Sequence, residues 1–303
     1  MTVPCAVAPG PAAALVVDAI TSAGGALVDP DAAEALIWTD PADAAGLSEL
    51  LATAPGVRWV QLPFAGVDRF AGLFDDGRTW TSTKGAYSEP VAEHALALGL
   101  AGLRQLPRRA RAVAWGDQAG LRLAGSRVTI VGGGGITRSL LALLAPFGVE
   151  ATVVRRHPAG VPGAATVLAP EQLHDGLAGA RLVVLALALT PETTGIIGAP
   201  ELDCMPGDAW LVNVARGAHV VTDDLVAGLD AGAIGGAALD VTDPEPLPPG
   251  HPLWGRDNCL ITPHTANTWE MAEPLFAERV RVNVDRYQRR EPLVGVVDPA
   301  LGY

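Results

Sequence analysis

The chain has 303 residues, 49% of them hydrophobic, and a formal net charge of −12. That length provides two domains of ordinary size, each with its own core, and that charge argues against nucleic acid or an anionic membrane as partner. Three scattered cysteines (Cys5, Cys204, Cys259), with no C-x-x-C and no histidine at ligand spacing, argue against a metal centre and a disulfide framework. The first ten residues lack a basic n-region, and the longest apolar runs, such as 182–189, are too short to span a bilayer. A cytoplasmic protein is expected. An acidic chain that handles small anions needs a local positive site, which directs attention to individual arginines.

In chain order, the spacing predicts a helix over 16–23, a strand over 35–39, a helix over 47–54 and a strand over 59–62. The last of these runs into P-F-A-G-V-D, where Gly66 reads on position alone as a plain β-to-α turn, or as backbone able to approach a ligand carboxylate. Residues 80–83 read as a strand. Ser88 and Pro90 are helix-start signals for a long apolar helix over 91–106. Within it Glu93 and His94, taken alone, read as packing or capping groups. Arg104, Arg108, Arg109 and Arg111 read as a solvated basic face or one side of a subunit contact.

The stretch 127–138, R-V-T-I-V-G-G-G-G-I-T-R, reads as a buried strand, a glycine turn and the start of a helix over 136–145. Backbone N–H groups and the positive helix end make such a turn an anion site. Read as a dinucleotide fingerprint it is Gly132-x-Gly134-x-x-Thr137, with Gly135 and Ile136 opening the helix and Thr137 in place of the third glycine, which should push the helix slightly outward. Taken alone, the turn is equally an ordinary strand–helix connection. The phosphate loop G-x-x-x-x-G-K-[ST] has no match, because the chain's only lysine is Lys84. A second strand over 151–154 ends in Arg155-Arg156-His157, where an NAD site would place an acid for the ribose 2′-OH. Arginine there can pair with a 2′-phosphate, which favours NADP(H) over NAD(H); a surface arginine pair with the acid supplied elsewhere is the alternative.

Further buried strands are predicted over 181–189, 210–214, 235–240 and 258–262, alternating with helical stretches such as 223–231. The expected fold is α/β, a doubly wound parallel sheet with functional residues at the carboxyl ends of its strands. Arg216, Asp240, Glu245 and His264 fall at such ends. Each alone could be structural, but together beside a dinucleotide turn they are the parts of a hydride-transfer enzyme. Reduction of a 2-oxo acid needs a cation for the carboxylate, polarisation of the carbonyl and a proton for the new alkoxide. Arg216 fits the first two tasks as a permanently charged planar fork, and His264 fits the third as general acid. Glu245 would hold the imidazole's orientation and favour the protonated form that reduction requires.

The motifs N-V-A-R-G, A-L-D-V-T-D-P-E-P-L-P and N-C-L-I-T-P-H-T-A resemble those of the D-isomer-specific 2-hydroxyacid dehydrogenase family. V-Q-L-P-F-A-G-V-D, G-A-Y-S-E-P-V-A-E-H-A-L-A-L, L-T-P-E-T-T-G-I-I and the closing R-Y-Q-R-R-E-P-L-V-G-V-V-D-P-A-L-G-Y extend the resemblance over nearly the whole chain. It implies Arg216, Glu245 and His264 as the catalytic set, and Asp240 near the nicotinamide carboxamide. The backbone of Ala65 and Gly66 would receive the substrate carboxylate. Thr190 and Pro191 would line the adenosine side of the cofactor and Ala215 its nicotinamide side, with Gly132, Gly134, Gly135, Ile136, Arg155 and Arg156 completing the dinucleotide site. It also implies a flavodoxin-like substrate domain made of residues 1–95 and 270–303, a Rossmann dinucleotide domain of residues 96–269, an active site in the cleft between them, and a homodimer joined through the dinucleotide domain. The short chain resembles the glyoxylate and hydroxypyruvate reductases of the family. The competing readings are a non-catalytic dinucleotide-sensing binding protein, against which the complete catalytic set argues, and a relative that oxidises formate or phosphite.

Overall fold

The computed structural model describes residues 2–74 and 77–299, so residues 300–303 of the closing motif lie outside the described residues. The chain forms two compact units, Met1–Tyr87 with Thr268–Tyr303, and Ser88–Asn267.

The first unit is built on five parallel strands: β1 (Pro4–Ala8), β2 (Ala26–Leu27), β3 (Ala35–Trp38), β4 (Trp59–Gln61) and β5 (Thr79–Thr81). Their order is β2-β1-β3-β4-β5, the flavodoxin-like arrangement. All four residues of β3 are buried because both faces of the sheet are covered. Ala35 and Ile37 point to a core shared with helix α1 (Ala14–Ser22) and the closing helix Trp269–Gln288, through Val16, Ile20, Phe276 and Val280. Leu36 and Trp38 point to the opposite core with Leu47 and Leu51 of helix α2 (Ala44–Thr53). The closing helix is also tied to the sheet by a buried polar pair, in which Asn283 Nδ2 donates to Gln61 Oε1 at 2.9 Å.

The second unit opens with helix α3 (Ser88–Leu103) and the short α4 (Leu106–Ala110). The expected helix to 106 stops at Leu103 because Gln105 takes the left-handed conformation (φ 51°) and Pro107 has no N–H to continue the ladder. Seven parallel strands follow: β6 (Arg127–Val131), β7 (Glu150–Val154), β8 (Thr166–Leu168), β9 (Leu182–Leu185), β10 (Trp210–Asn213), β11 (Gly236–Leu239) and β12 (Cys259–Ile261). Their order, β12-β11-β10-β9-β6-β7-β8, is the doubly wound Rossmann order with one added edge strand, and it reverses between β6 and β9. Helix α5 (Gly135–Leu144) follows the glycine turn, and α6 (Leu173–Leu177), α7 (Ala199–Cys204) and α8 (Thr222–Ala231) complete the unit.

The strand expected over 181–189 is only four residues long. After Leu185 the chain turns out across the sheet's carboxyl edge, the Thr193 hydroxyl holding the Ala188 carbonyl at 2.9 Å. The apolar run outlasts the strand because Leu187 still packs on the core. Helix α3 lies on β9 and β10 through Gly99 and Gly102. A Cβ on Gly102 would stand 2.2 Å from the Trp210 ring, and one on Gly99 2.9 Å from Leu182. The chain passes between units at 87/88 and 267/268, whereas the sequence division lay at 95/96 and 269/270, since α3 is one unbroken helix from Ser88.

Candidate active site

The carboxyl ends of the second unit's strands carry the site. After β6, Gly132 adopts φ +118°, and a Cβ there would lie 2.1 Å from the Ala186 carbonyl oxygen, so the turn requires glycine. Gly134 caps α5 without a side chain and has nothing within 4 Å of where its Cβ would stand. The first N–H groups of α5, beginning with Gly135 and the half-buried Ile136, therefore stand at a helix start with no side chain over Gly134, an arrangement that favours an anion. Thr137 is fully buried and its hydroxyl donates to the Gly132 carbonyl at 2.9 Å, so the departure from glycine is absorbed as a hydrogen bond that closes the turn. The Arg155 side chain crosses this turn, its Nε 2.7 Å from the Cβ position of Gly133, while Arg156 is exposed.

After β10, Asn213 braces the next turn. Its Nδ2 donates to the Arg216 carbonyl at 2.8 Å, and its Oδ1 accepts from the N–H of the buried Ala215 at 3.0 Å. His219 Nδ1 also lies 3.0 Å from the Arg216 carbonyl, and its Nε2 lies 3.3 Å from that of Ala188, bridging the Arg216 turn to the loop that carries Thr190 and Pro191. Burial pushes the His219 imidazole below its ordinary value; its two carbonyl partners oppose this and the nearby Arg216 charge adds to it. Arg216 itself is half-buried and directs Nη1 to the Ala215 carbonyl at 2.8 Å. The N–H of Thr190 donates to the Thr193 hydroxyl at 2.8 Å, which fixes the Thr190–Pro191 bend.

After β11 comes Asp240, whose side chain is 1% exposed. Its Oδ1 accepts from the Thr262 hydroxyl at 2.6 Å and the Thr265 N–H at 2.8 Å, with His94 Nε2 at 3.3 Å, and its Oδ2 accepts from the Ala266 N–H at 3.0 Å. Burial works against the charged form, but these four donors outweigh it and hold the carboxyl down at about 2. The Asp240 carbonyl accepts the His264 N–H at 2.8 Å, so one residue pins the whole turn that follows β12. His264 sits in that turn at φ +53°, a conformation that costs a non-glycine residue about 1 kcal/mol and persists only where neighbours enforce it. Its Nδ1 lies 2.8 Å from Glu245 Oε1, both side chains being partly exposed. The carboxylate fixes Nδ1 as a donor and leaves Nε2 facing outward. Arg216, Glu245 and His264 thus follow the neighbouring strands β10, β11 and β12, with Glu245 and His264 in direct contact.

In the first unit, Ala65 and Gly66 lie in the turn after β4. Tyr87 and Thr83 hydroxyls donate to the Pro63 carbonyl at 2.6 and 3.0 Å, and Phe64 packs edge-on against Tyr87. Among the described residues no backbone hydrogen bond engages the N–H groups of Ala65 and Gly66. Lys84 is exposed, and partial burial of its ammonium lowers it from the ordinary lysine value against the pull of Asp298. Among the described residues no group of three or more His, Cys, Asp or Glu could hold a metal ion, and no helix is long and apolar enough to cross a membrane.

Sequence reasoning passes over Asn213, His219 and Thr193, and reads His94 as a packing or capping group. Asn213, His219 and Thr193 hold backbone and His94 meets the side chains of Asp240 and Thr262, and only the place of Asn213 in N-V-A-R-G and of His94 in A-E-H-A-L-A-L singled them out.

Residues 95–266 match the family model described as D-isomer specific 2-hydroxyacid dehydrogenase, NAD binding domain. The chain is 38% identical over 255 residues, 82% of its length, to an uncharacterized protein in the proB 3′ region of Corynebacterium melassecola, 84% of which is covered. It superposes with a TM-score of 0.86 and 29% identity, over 100% of both chains, on a D-isomer specific 2-hydroxyacid dehydrogenase from Xanthobacter autotrophicus Py2 in complex with NADPH and MES. It superposes with a TM-score of 0.83 and 26% identity, again over 100% of both chains, on an NADPH-dependent glyoxylate/hydroxypyruvate reductase from Sinorhizobium meliloti in complex with NADP and sulfate.

Proposed function

Because this chain belongs to the D-isomer-specific 2-hydroxyacid dehydrogenase family, we propose that it is an NADPH-dependent reductase of small 2-oxo acids, forming D-2-hydroxy acids, with glyoxylate and hydroxypyruvate as the first candidates. The observation that carries this reading is the Glu245–His264 pair at 2.8 Å, one strand away from Arg216, beside an open dinucleotide cradle. A proton donor held by a carboxylate is superfluous to a protein that only senses a dinucleotide.

The cradle at Gly132, Gly134, Gly135 and Ile136, with Thr190, Pro191 and Ala215, is assigned to a nicotinamide dinucleotide, which when bound supplies the hydride. Arg155 and Arg156 are assigned to its 2′-phosphate. Support comes from the Arg155 side chain lying across the turn and from the absence of an acid at that strand end. The Arg216 guanidinium pairs with the substrate carboxylate and polarises the carbonyl, and Ala65 and Gly66 are assigned to substrate binding through N–H groups that no backbone hydrogen bond engages. His264 donates the proton from Nε2 to the carbonyl oxygen as it becomes a hydroxyl, while Glu245 balances the imidazolium through Nδ1. Asp240, expected at the nicotinamide carboxamide, is occupied by four donors of this chain, and we assign it the task of holding the His264 turn.

We also read the molecule as a homodimer joined through the second unit. There Val113 and Trp115 are 102% and 95% exposed, with Leu106 and Trp254 also open to solvent. The test of the enzymatic reading is NADPH oxidation followed by absorbance against a panel of 2-oxo acids, with chiral analysis of the product. A D-2-hydroxy acid formed in step with NADPH loss is expected; cofactor binding without turnover on any member would overturn it.

A further inference from the structure

Of the four donors on Asp240, three come from the turn that carries His264, and the fourth comes from a different layer of the fold. His94, on the second turn of α3, places Nε2 3.3 Å from Asp240 Oδ1 and 3.1 Å from Thr262 Oγ1. The Thr262 hydroxyl gives its single proton to Asp240 Oδ1 at 2.6 Å, so towards His94 it presents only lone pairs. The Asp240 carboxylate is an acceptor as well. Both oxygens facing Nε2 accept, and Nε2 therefore carries a hydrogen.

The consequence reaches the proton donor in two steps. Asp240 holds the N–H groups of Thr265 and Ala266 through its side chain and that of His264 through its carbonyl. That grip keeps His264 at φ +53° with its ring on Glu245. A carboxylate gripped only by that turn could rotate with it. A donor from α3, a helix seated on the sheet through Gly99 and Gly102, gives the carboxylate a fixed external reference.

We propose that His94 is a positioning residue for His264, donating from Nε2 into the Thr262–Asp240 pair and thereby locking the turn that aims the proton donor; this role rests on reading His264 as the general acid. Since His94 reaches neither the cofactor cradle nor the Arg216 fork through any contact described above, its loss should disturb the chemical step and spare ground-state binding.

The test compares wild-type enzyme with His94→Phe and His94→Gln, measuring kcat and KM for the best 2-oxo acid, NADPH affinity by fluorescence titration, and the imidazole resonances by NMR. His94→Phe is expected to lower kcat about tenfold or more, with KM and NADPH Kd within about threefold of wild type, since misplacing a reacting group acts on the barrier rather than on binding. His94→Gln, which keeps an N–H donor, should recover kcat to within about threefold. In the wild type His94 should appear as the Nε2–H form, and His264 resonances should move in His94→Phe but stay near their wild-type positions in His94→Gln. Unchanged kcat in His94→Phe, a loss expressed only in KM, or a glutamine variant as impaired as phenylalanine would overturn the proposal. A wild type that turns over no 2-oxo acid would overturn the reading of the site instead. The His264 resonances then decide the positioning claim alone: movement in His94→Phe supports it, and their constancy overturns it.

Discussion

Arg216 is the residue to which we assign both substrate recognition and carbonyl polarisation, and its backbone carbonyl is held from both sides by Asn213 and His219. Arg216→Ala should lower kcat/KM by about 10²-fold or more, and Arg216→Lys should recover only part of that because an ammonium cannot form the planar fork. Near-normal turnover in Arg216→Ala would remove it from the mechanism. Arg155→Asp should reverse the preference from NADPH to NADH, read as the ratio of the two kcat/KM values. Asp240 makes a prediction in pH. Its folded carboxyl lies at about 2, below the unfolded aspartate range, so its stabilisation is complete above that range and is lost as pH falls towards 2. Acid unfolding should therefore show the stability gap between wild type and Asp240→Asn, about 2 kcal/mol from this term, narrowing as pH falls below about 4. The residues we assign to catalysis stood out in the sequence because their chemistry is rare at strand ends: a cation, a carboxylate and a histidine in N-V-A-R-G, D-P-E-P-L and T-P-H-T. Asn213, Thr193 and His94 did not. A polar side chain that braces backbone or another side chain looks the same in sequence as one that faces water, and only the folded distances separate them.

At the scale of elements, the glycine turn and helix α3 set how closely chain segments approach. Gly132→Ala should abolish NADPH binding, because an added Cβ meets the Ala186 carbonyl and φ +118° is closed to alanine. Gly102→Ala should destabilise the second unit by about 1–3 kcal/mol through overpacking against Trp210, measured by chemical denaturation. The type and order of the expected strands and helices were readable from periodicity, and the parallel sheet from strands buried on both faces. Their ends were less so. The run 181–189 looked like one long strand because the residues that cap the sheet's carboxyl edge are as apolar as those within it. The start of α3 was signalled by Ser88 and Pro90, although the expected helix began at 91 rather than 88, while its end depended on a left-handed glutamine that no residue type signals.

For the molecule as a whole, one chain builds two parallel α/β units, and the strand orders 2-1-3-4-5 and doubly wound were legible only as fold classes, since register and order depend on contacts far apart in sequence. The homodimer reading predicts twice the chain's 31.1 kDa in light scattering, and Trp115→Asp should shift the population towards monomer. The central claim is that the protein catalyses reduction through His264 rather than merely binding a dinucleotide. The measurement that tests it most directly is single-turnover oxidation of bound NADPH by glyoxylate or hydroxypyruvate, in wild type and in His264→Asn. The expected result is rapid oxidation in the wild type and a rate at least about 10²-fold lower in the variant, with NADPH affinity preserved. Equal rates in the two proteins, or no oxidation in the wild type with NADPH fully bound, would contradict it.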